Sequence, residues 1–179
     1  PGGHSYMDGI YRNGLLARKE VDPVRDCYEA AMIQAYGEER TRAILDLDRF
    51  NNLIYPNINI NAQYHQLRVV HPVAPDLTLV TSYCFKLVGA PDAIFHRAVR
   101  FLTNLGSPAS MIYGDDATIF ERCNQGLRNA DNDVWINMQR GMGYEKPLPH
   151  GGTIDAATEA PIRSQFQAWL DYMTTEEQS

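Results

Sequence analysis

QYHQLRVVHPVAPDLTLVTSYCFKL, residues 63–87, is the stretch on which the fold turns. Gln63 to His71 and Leu77 to Leu87 read as two strands, and Pro72-Val73-Ala74-Pro75-Asp76 between them supplies turn chemistry. His71, standing just before Pro72, reads as part of that turn. In the second strand Leu79, Thr81, Tyr83, Phe85 and Leu87 share one face, and Val80, Ser82 and Cys84 share the other. Apolar groups on both sides predict that both faces are at least partly covered.

The cover is predicted just downstream. Pro91-Asp92 opens a helix in which Phe95, Ala98, Val99 and Leu102 recur at helical spacing, with Gly106 as its stop. A small-residue turn, Gly106-Ser107-Pro108-Ala109-Ser110, leads to a further helix read as starting near Asp115, with Ile119, Phe120, Cys123 and Leu127 apolar. Upstream, Leu53-Ile54-Tyr55 and Ile58-Asn59-Ile60 are strand-like, and Pro56 between them marks an edge, bulge or break. Asp22-Pro23 starts a helix that Gly37 stops, and residues 38–48 read as a second one, with Ala43, Ile44 and Leu47 on its apolar side. Residues 129–155 are loop-rich with Trp135-Ile136 as a strand-like kernel, and a last helix follows Thr158. Helices that do not alternate with single strands predict an α+β fold with an antiparallel sheet, in which residues 51–60, 63–71 and 77–87 pack on the helix over 91–105.

Bulk properties exclude several functions. At 179 residues the chain has room for one domain, 1–179, and not for two typical ones. A net charge of −6, with basic residues scattered, argues against a nucleic-acid surface. No apolar run approaches a membrane span and no signal peptide opens the chain. Cys27, Cys84 and Cys123, an odd number without a CxxC, suit buried thiols in a reducing cytoplasm. Pro1-Gly2-Gly3-His4-Ser5 has no initiator Met and reads as the inside of a loop, so the chain is expected to be a piece of a longer polypeptide.

Few residues could carry chemistry. Asp115 and Asp116 at a helix start could hold a hard metal ion, act as acid and base, or cap the helix. The histidines are His4, His65, His71, His96 and His150. His65 and His71 on a continuous strand would lie about 20 Å apart, too far to share one metal. His96 falls on the solvent side of its helix, and His150 lies in a Gly/Pro loop. No G-x-S-x-G is present, and Gly141-Met142-Gly143 and Gly151-Gly152 read as turns. Asn57, Asn59 and Asn61 share one strand face, either exposed or lining a cavity between sheet and helix.

Together these segments resemble the carboxy-terminal catalytic domain of the large (α) subunit of Rieske-type aromatic-ring-hydroxylating dioxygenases. The residues that carry the resemblance are Asn52-Leu53-Ile54-Tyr55-Pro56-Asn57, Leu67-Arg68-Val69-Val70-His71-Pro72 and Ser107-Pro108-Ala109 leading to Gly114-Asp115-Asp116. Glu121-Arg122, Gln125-Gly126-Leu127, Arg140-Gly141-Met142-Gly143, Thr158-Glu159-Ala160-Pro161-Ile162-Arg163 and Trp169 complete it, over most of residues 45–173.

The resemblance implies a helix-grip (START-like) fold, a curved antiparallel sheet around a long helix, enclosing an apolar pocket. It implies a mononuclear Fe(II) held by two His and one Asp, with dioxygen and an aromatic substrate beside it. Electrons would come from a Rieske [2Fe–2S] cluster, fed from NADH through a ferredoxin or reductase, in a cytoplasmic homotrimer or α3β3 assembly. Asp116 matches the carboxylate iron ligand and Asp115 matches no ligand. Leu105 and Ile112 fall at pocket-lining positions, and Asn57 joins them as a substrate-binding candidate. The His-ligand helix and the Rieske cysteine–histidine pairs are missing, so the chain alone is expected to be inactive and to bind iron weakly or not at all. The alternative is a non-catalytic helix-grip module that binds an apolar small ligand.

Overall fold

The computed structural model describes residues 2–8, 21–45, 49–62, 64–129, 135–149, 151–155 and 157–175. Five strands form one antiparallel sheet in the order β1-β2-β3-β4-β5: β1 Ser5–Asp8, β2 Arg49–Ile54, β3 Ile58–Asn61, β4 Gln66–Ala74 and β5 Leu77–Cys84. The helices are α1 Pro23–Tyr36, α2 Glu38–Leu45, α3 Asp92–Leu105, α4 Met111–Leu127 and α5 Ala160–Thr174, with a small hairpin of β6 Lys146–Leu148 and β7 Gly151–Thr153. This is the α+β arrangement with an antiparallel sheet that the sequence predicts. The strand β1, which the sequence does not signal, adds itself beside β2, with Ser5 opposite Leu53.

Local chemistry sets most boundaries. Asp22 caps α1, its carboxylate accepting from the N–H groups of Val24 and Arg25, and Gly37 ends the helix at a φ of 80°. Tyr55, Pro56 and Asn57 form the turn between β2 and β3, where Pro interrupts the ladder.

Several expectations are corrected. His71 and Pro72 are strand residues, paired with Leu79 and Thr78, and the reversal is confined to Pro75-Asp76, because the register shifts at Pro72/Ala74 and lets the strand run on. The helix α4 begins at Met111, not near Asp115, because the Ser110 hydroxyl caps it by accepting from the Ile112 N–H. Trp135-Ile136 is not a strand; the strand pairing in that region is β6–β7. Cys27 and Cys123 are exposed and only Cys84 is half-buried, so the buried-thiol expectation fails for two of the three. Residues 46–48, Gln63 and His150, on which parts of the sequence reading fall, lie outside the described residues.

The helix α3 meets the sheet at its end, where the Phe101 ring stacks on Tyr64 with centroids 4.4 Å apart. Expected cover on both faces of the hairpin is absent along its outer half: Leu77, Leu79 and Val80 are all exposed. A close approach lies elsewhere. Gly3, at a φ of 73°, sits where a Cβ would come within 2.8 Å of the Tyr55 ring and 2.9 Å of Ala168 Cβ. Only glycine fits there, which seats β1 and α5 on the turn after β2.

Candidate functional site: the groove under helix α4

Register places Asn57, Asn59 and Asn61 on the same face as Gln66, Arg68, Val70, Val80 and Ser82. The Asn59 and Asn61 amides are engaged within the protein. Asn61 is 4% exposed and its side chain donates to Asn51 Oδ1 and accepts from the Tyr64 N–H. Asn59 Oδ1 accepts from Arg68 Nε at 3.1 Å and from Nη2 at 2.7 Å. Gln66, 3% exposed, donates from Nε2 to Ser82 Oγ at 3.2 Å and to the Tyr113 hydroxyl at 3.4 Å. A polar rung inside a sheet persists because each partner is satisfied.

The Gln66–Tyr113 bond pins the start of α4 to this face. At the other end Arg128, just past the helix, pairs with Asp76 in the β4–β5 turn at 2.7 Å. The helix therefore runs the length of the hairpin, parallel to β4. Fifteen residues of helix rise about 22 Å and ten residues of strand about 33 Å, and two long side chains bridge the difference. Between the pins Phe120 is 70% exposed and Val80 51%. We take the uncovered, partly apolar strip between this tied helix and the sheet as the candidate groove.

Tyr113 also defines which side of α4 looks at the sheet. Asp116, three residues on, lies about 60° from it around the helix, whereas Asp115 lies about 160° away. Asp116 is thus on the groove side and Asp115 on the far side, and both side chains are exposed. Neither sits in the first turn, so the helix-start rationale that the sequence suggests for them does not apply.

Ile112 precedes Tyr113, and Leu105 ends α3 beside Gly106, whose Cβ position would lie 3.8 Å from the Tyr113 ring. Both therefore collect near the Gln66–Tyr113 pin; Leu105 is half-buried and Ile112 exposed. Asn57 stands further along, its carbonyl accepting from the Val70 N–H, about 13 Å up the strand from the Gln66 rung. It borders the middle of the groove, apart from Leu105 and Ile112. Sequence reasoning missed Gln66, Tyr113, Arg68, Arg128 and Asp76. The pairing of Asn59 with Arg68 follows from strand alternation, but nothing local signals the two pins, whose partners lie about fifty residues apart.

No group of three or more His, Cys, Asp or Glu that could hold a metal occurs among the described residues. His4 Nδ1 accepts from the Tyr55 N–H at 3.0 Å, a structural use. His71 and His96 are exposed, as expected for His96. His65 is not on a strand: it occupies the turn before β4 in the left-handed region, φ 51°, with its ring stacked on Phe85. Burial pushes its pKa below the ordinary value and pushes the Cys84 thiol up. Asp116 is therefore in no group of three such ligands among the described residues, and this donor set does not by itself make a two-His, one-carboxylate site.

A second polar cluster joins residues 138–145 to the start of α5. Arg163 donates to the carbonyls of Met138 and Arg140 at 2.7 and 3.1 Å and to Glu145 Oε1 at 2.6 Å. Glu159 accepts from the Arg140 N–H and guanidinium, both at 3.1 Å. Gly141, at a φ of 76°, lies against the Thr158 side chain with no room for a Cβ. The Glu145 carboxyl is held below its ordinary range by its own backbone N–H and then by Arg163, that of Glu159 by the backbone N–H and then the guanidinium of Arg140.

No family profile matches the chain. It is 33% identical over 127 residues to the 2-halobenzoate 1,2-dioxygenase large subunit of Burkholderia cepacia, a match that covers 70% of this chain and 27% of that protein. Its fold superimposes on that of a naphthalene 1,2-dioxygenase variant crystallised with phenanthrene, with a TM-score of 0.72 and 16% identity, over 98% of this chain and 43% of the other. The chain thus spans about a quarter of the curated relative and less than half of the solved one. No helix among the described residues is long and apolar enough to cross a membrane. A sequence match over most of the chain and a fold shared over nearly all of it converge: the chain resembles the catalytic domain of Rieske-type dioxygenase large (α) subunits.

Proposed function

We propose that this chain is part of the catalytic domain of an oxygenase that inserts dioxygen into an aromatic substrate, with the groove under α4 as the substrate channel. The observation that carries this reading is the placement of Asp116, and not Asp115, on the side of α4 that faces the hairpin. In this reading the sheet wraps the helix in the helix-grip manner. Leu105 and Ile112 line one end of the groove, Asn57 borders its middle, and apolar Phe120 and Val80 accept the ring. Asp116 would supply the carboxylate ligand of Fe(II), and the two imidazoles would come from outside the described residues. The iron would supply dioxygen activation when bound, whereas the groove residues of this chain orient the ring. Electrons would arrive from a Rieske [2Fe–2S] cluster fed through a ferredoxin or reductase, in a trimeric or α3β3 assembly.

The test uses the complete large subunit. Asp116→Ala removes the iron and abolishes oxygenation while the Rieske spectrum stays unchanged, and Asp115→Ala retains iron. Metal analysis that finds full iron in Asp116→Ala overturns the assignment.

A second reading is an apolar-ligand module of the same architecture without redox chemistry. It rests on the exposed apolar residues Phe120 and Val80 along the groove. It predicts that an aromatic hydrocarbon binds equally well with and without Asp116.

A further inference from the structure

A cleft of about 300 Å³ opens between the start of α1, the helix α3 and the turn before β4, and it shares no residue with the groove. One wall is apolar: Ile94, Ala98 and Phe101 of α3, with Tyr64 stacked on Phe101. The rim is a set of hydrogen-bond donors. The single carboxylate there, Asp22, is already engaged, since Oδ2 accepts from Arg97 Nη1 at 2.6 Å and Oδ1 from the N–H groups of Val24 and Arg25 at 3.2 and 3.3 Å. These bonds hold its pKa below the ordinary carboxylate value, the Arg97 bond most of all. Arg25 also lines the cleft, and its side chain makes no ion pair among the described residues.

His65 completes the rim. Its Nδ1 is buried without a partner. A buried bare N–H is the rarer and costlier arrangement, so the neutral ring carries its proton on Nε2, where it can donate to the cleft His65 lines. The residue is also held at φ 51°, a conformation that costs a non-glycine residue about 1 kcal/mol or more. Two local costs at one residue, beside an unpaired cation, mark a place shaped for something other than stability.

Asp22, Arg25 and Arg97 together leave one positive charge, matched by one negative charge on a ligand whose body meets the apolar wall. We propose that this cleft binds a small organic monoanion with an apolar body, an aromatic carboxylate, with its carboxylate on Arg25 and His65 and its ring against Phe101 and Ile94. The site stands whether or not the groove is an oxygenase channel.

Titration of the 179-residue chain with benzoate, and with its neutral analogue benzamide, tests it by calorimetry and by the His65 ring resonances. Benzoate binds saturably and shifts His65, and benzamide binds at least about tenfold more weakly, the equivalent of one charge-assisted hydrogen bond. Arg25→Gln, an exposed change that leaves the fold intact, weakens benzoate about tenfold and leaves benzamide unaffected. Equal benzoate affinity in Arg25→Gln and the parent chain overturns the proposal, as does the absence of saturable binding. Loss of benzoate binding in Phe120→Ala with retention in Arg25→Gln overturns it too, by moving the anion to the groove, and leaves the oxygenase reading standing.

Discussion

The clamp around Arg163 and the groove under α4 are both built from charged residues and long helices, yet they are organised in opposite ways. In the clamp every strong donor meets an acceptor: Arg163 fills two carbonyls and Glu145, and Glu159 takes both the backbone and the side chain of Arg140. The groove is satisfied only at its ends, and between the pins it exposes Phe120 and the Asp116 carboxylate. A fully paired polar cluster fixes architecture. A carboxylate and an apolar face left without partners, on a helix held at both ends, are what remains available for a ligand.

Breaking the clamp has the largest expected effect. Arg163→Ala strips two carbonyls and Glu145 of their donor and lowers stability by roughly 2–3 kcal/mol, read by chemical denaturation. The same cluster predicts acid sensitivity. Glu145 and Glu159 have folded pKa values below the ordinary 4.5, so their contribution is present above that value and is lost as pH falls through the lower folded values. An unfolding midpoint unchanged by Arg163→Ala would reduce the clamp to a surface ornament.

At the near pin the effect is smaller. Tyr113→Phe removes one hydrogen bond and leaves Gln66 its second partner, Ser82, for a loss of about 1 kcal/mol. No loss would mean that α4 is not held there, and the placement of Asp116 would lose its support.

The far pin is the weakest. Arg128 and Asp76 are both largely exposed, so Arg128→Gln costs at most about 1 kcal/mol and the difference disappears in high salt. A salt-independent loss would show that Arg128 does more than pair with Asp76.

Legibility in the sequence follows the range of the interaction. The hairpin is recognisable because alternation in Leu79, Thr81 and Tyr83 is a local signal, and α1 because Asp22, Pro23 and Gly37 mark its ends. The start of α4 misleads: two adjacent acids look like a helix beginning, but the Ser110 hydroxyl closes the cap well before them. Asp116 stands out only through the family resemblance, and nothing in its own surroundings distinguishes it from Asp115 until the helix is oriented.

The sequence by itself determined the α+β class, the antiparallel pairing and the candidate carboxylates, because periodicity, caps and turns act over a few residues. Only the tertiary structure decided which side of α4 faces the sheet, that Asn59 and Asn61 are spent on hydrogen bonds, and that Asp22, Arg25 and His65 share one cleft. Those facts depend on contacts between residues far apart in the chain, such as Gln66 with Tyr113 and Asp76 with Arg128. Such partners meet only after the elements pack, and no local pattern encodes the rotation at which a helix comes to rest.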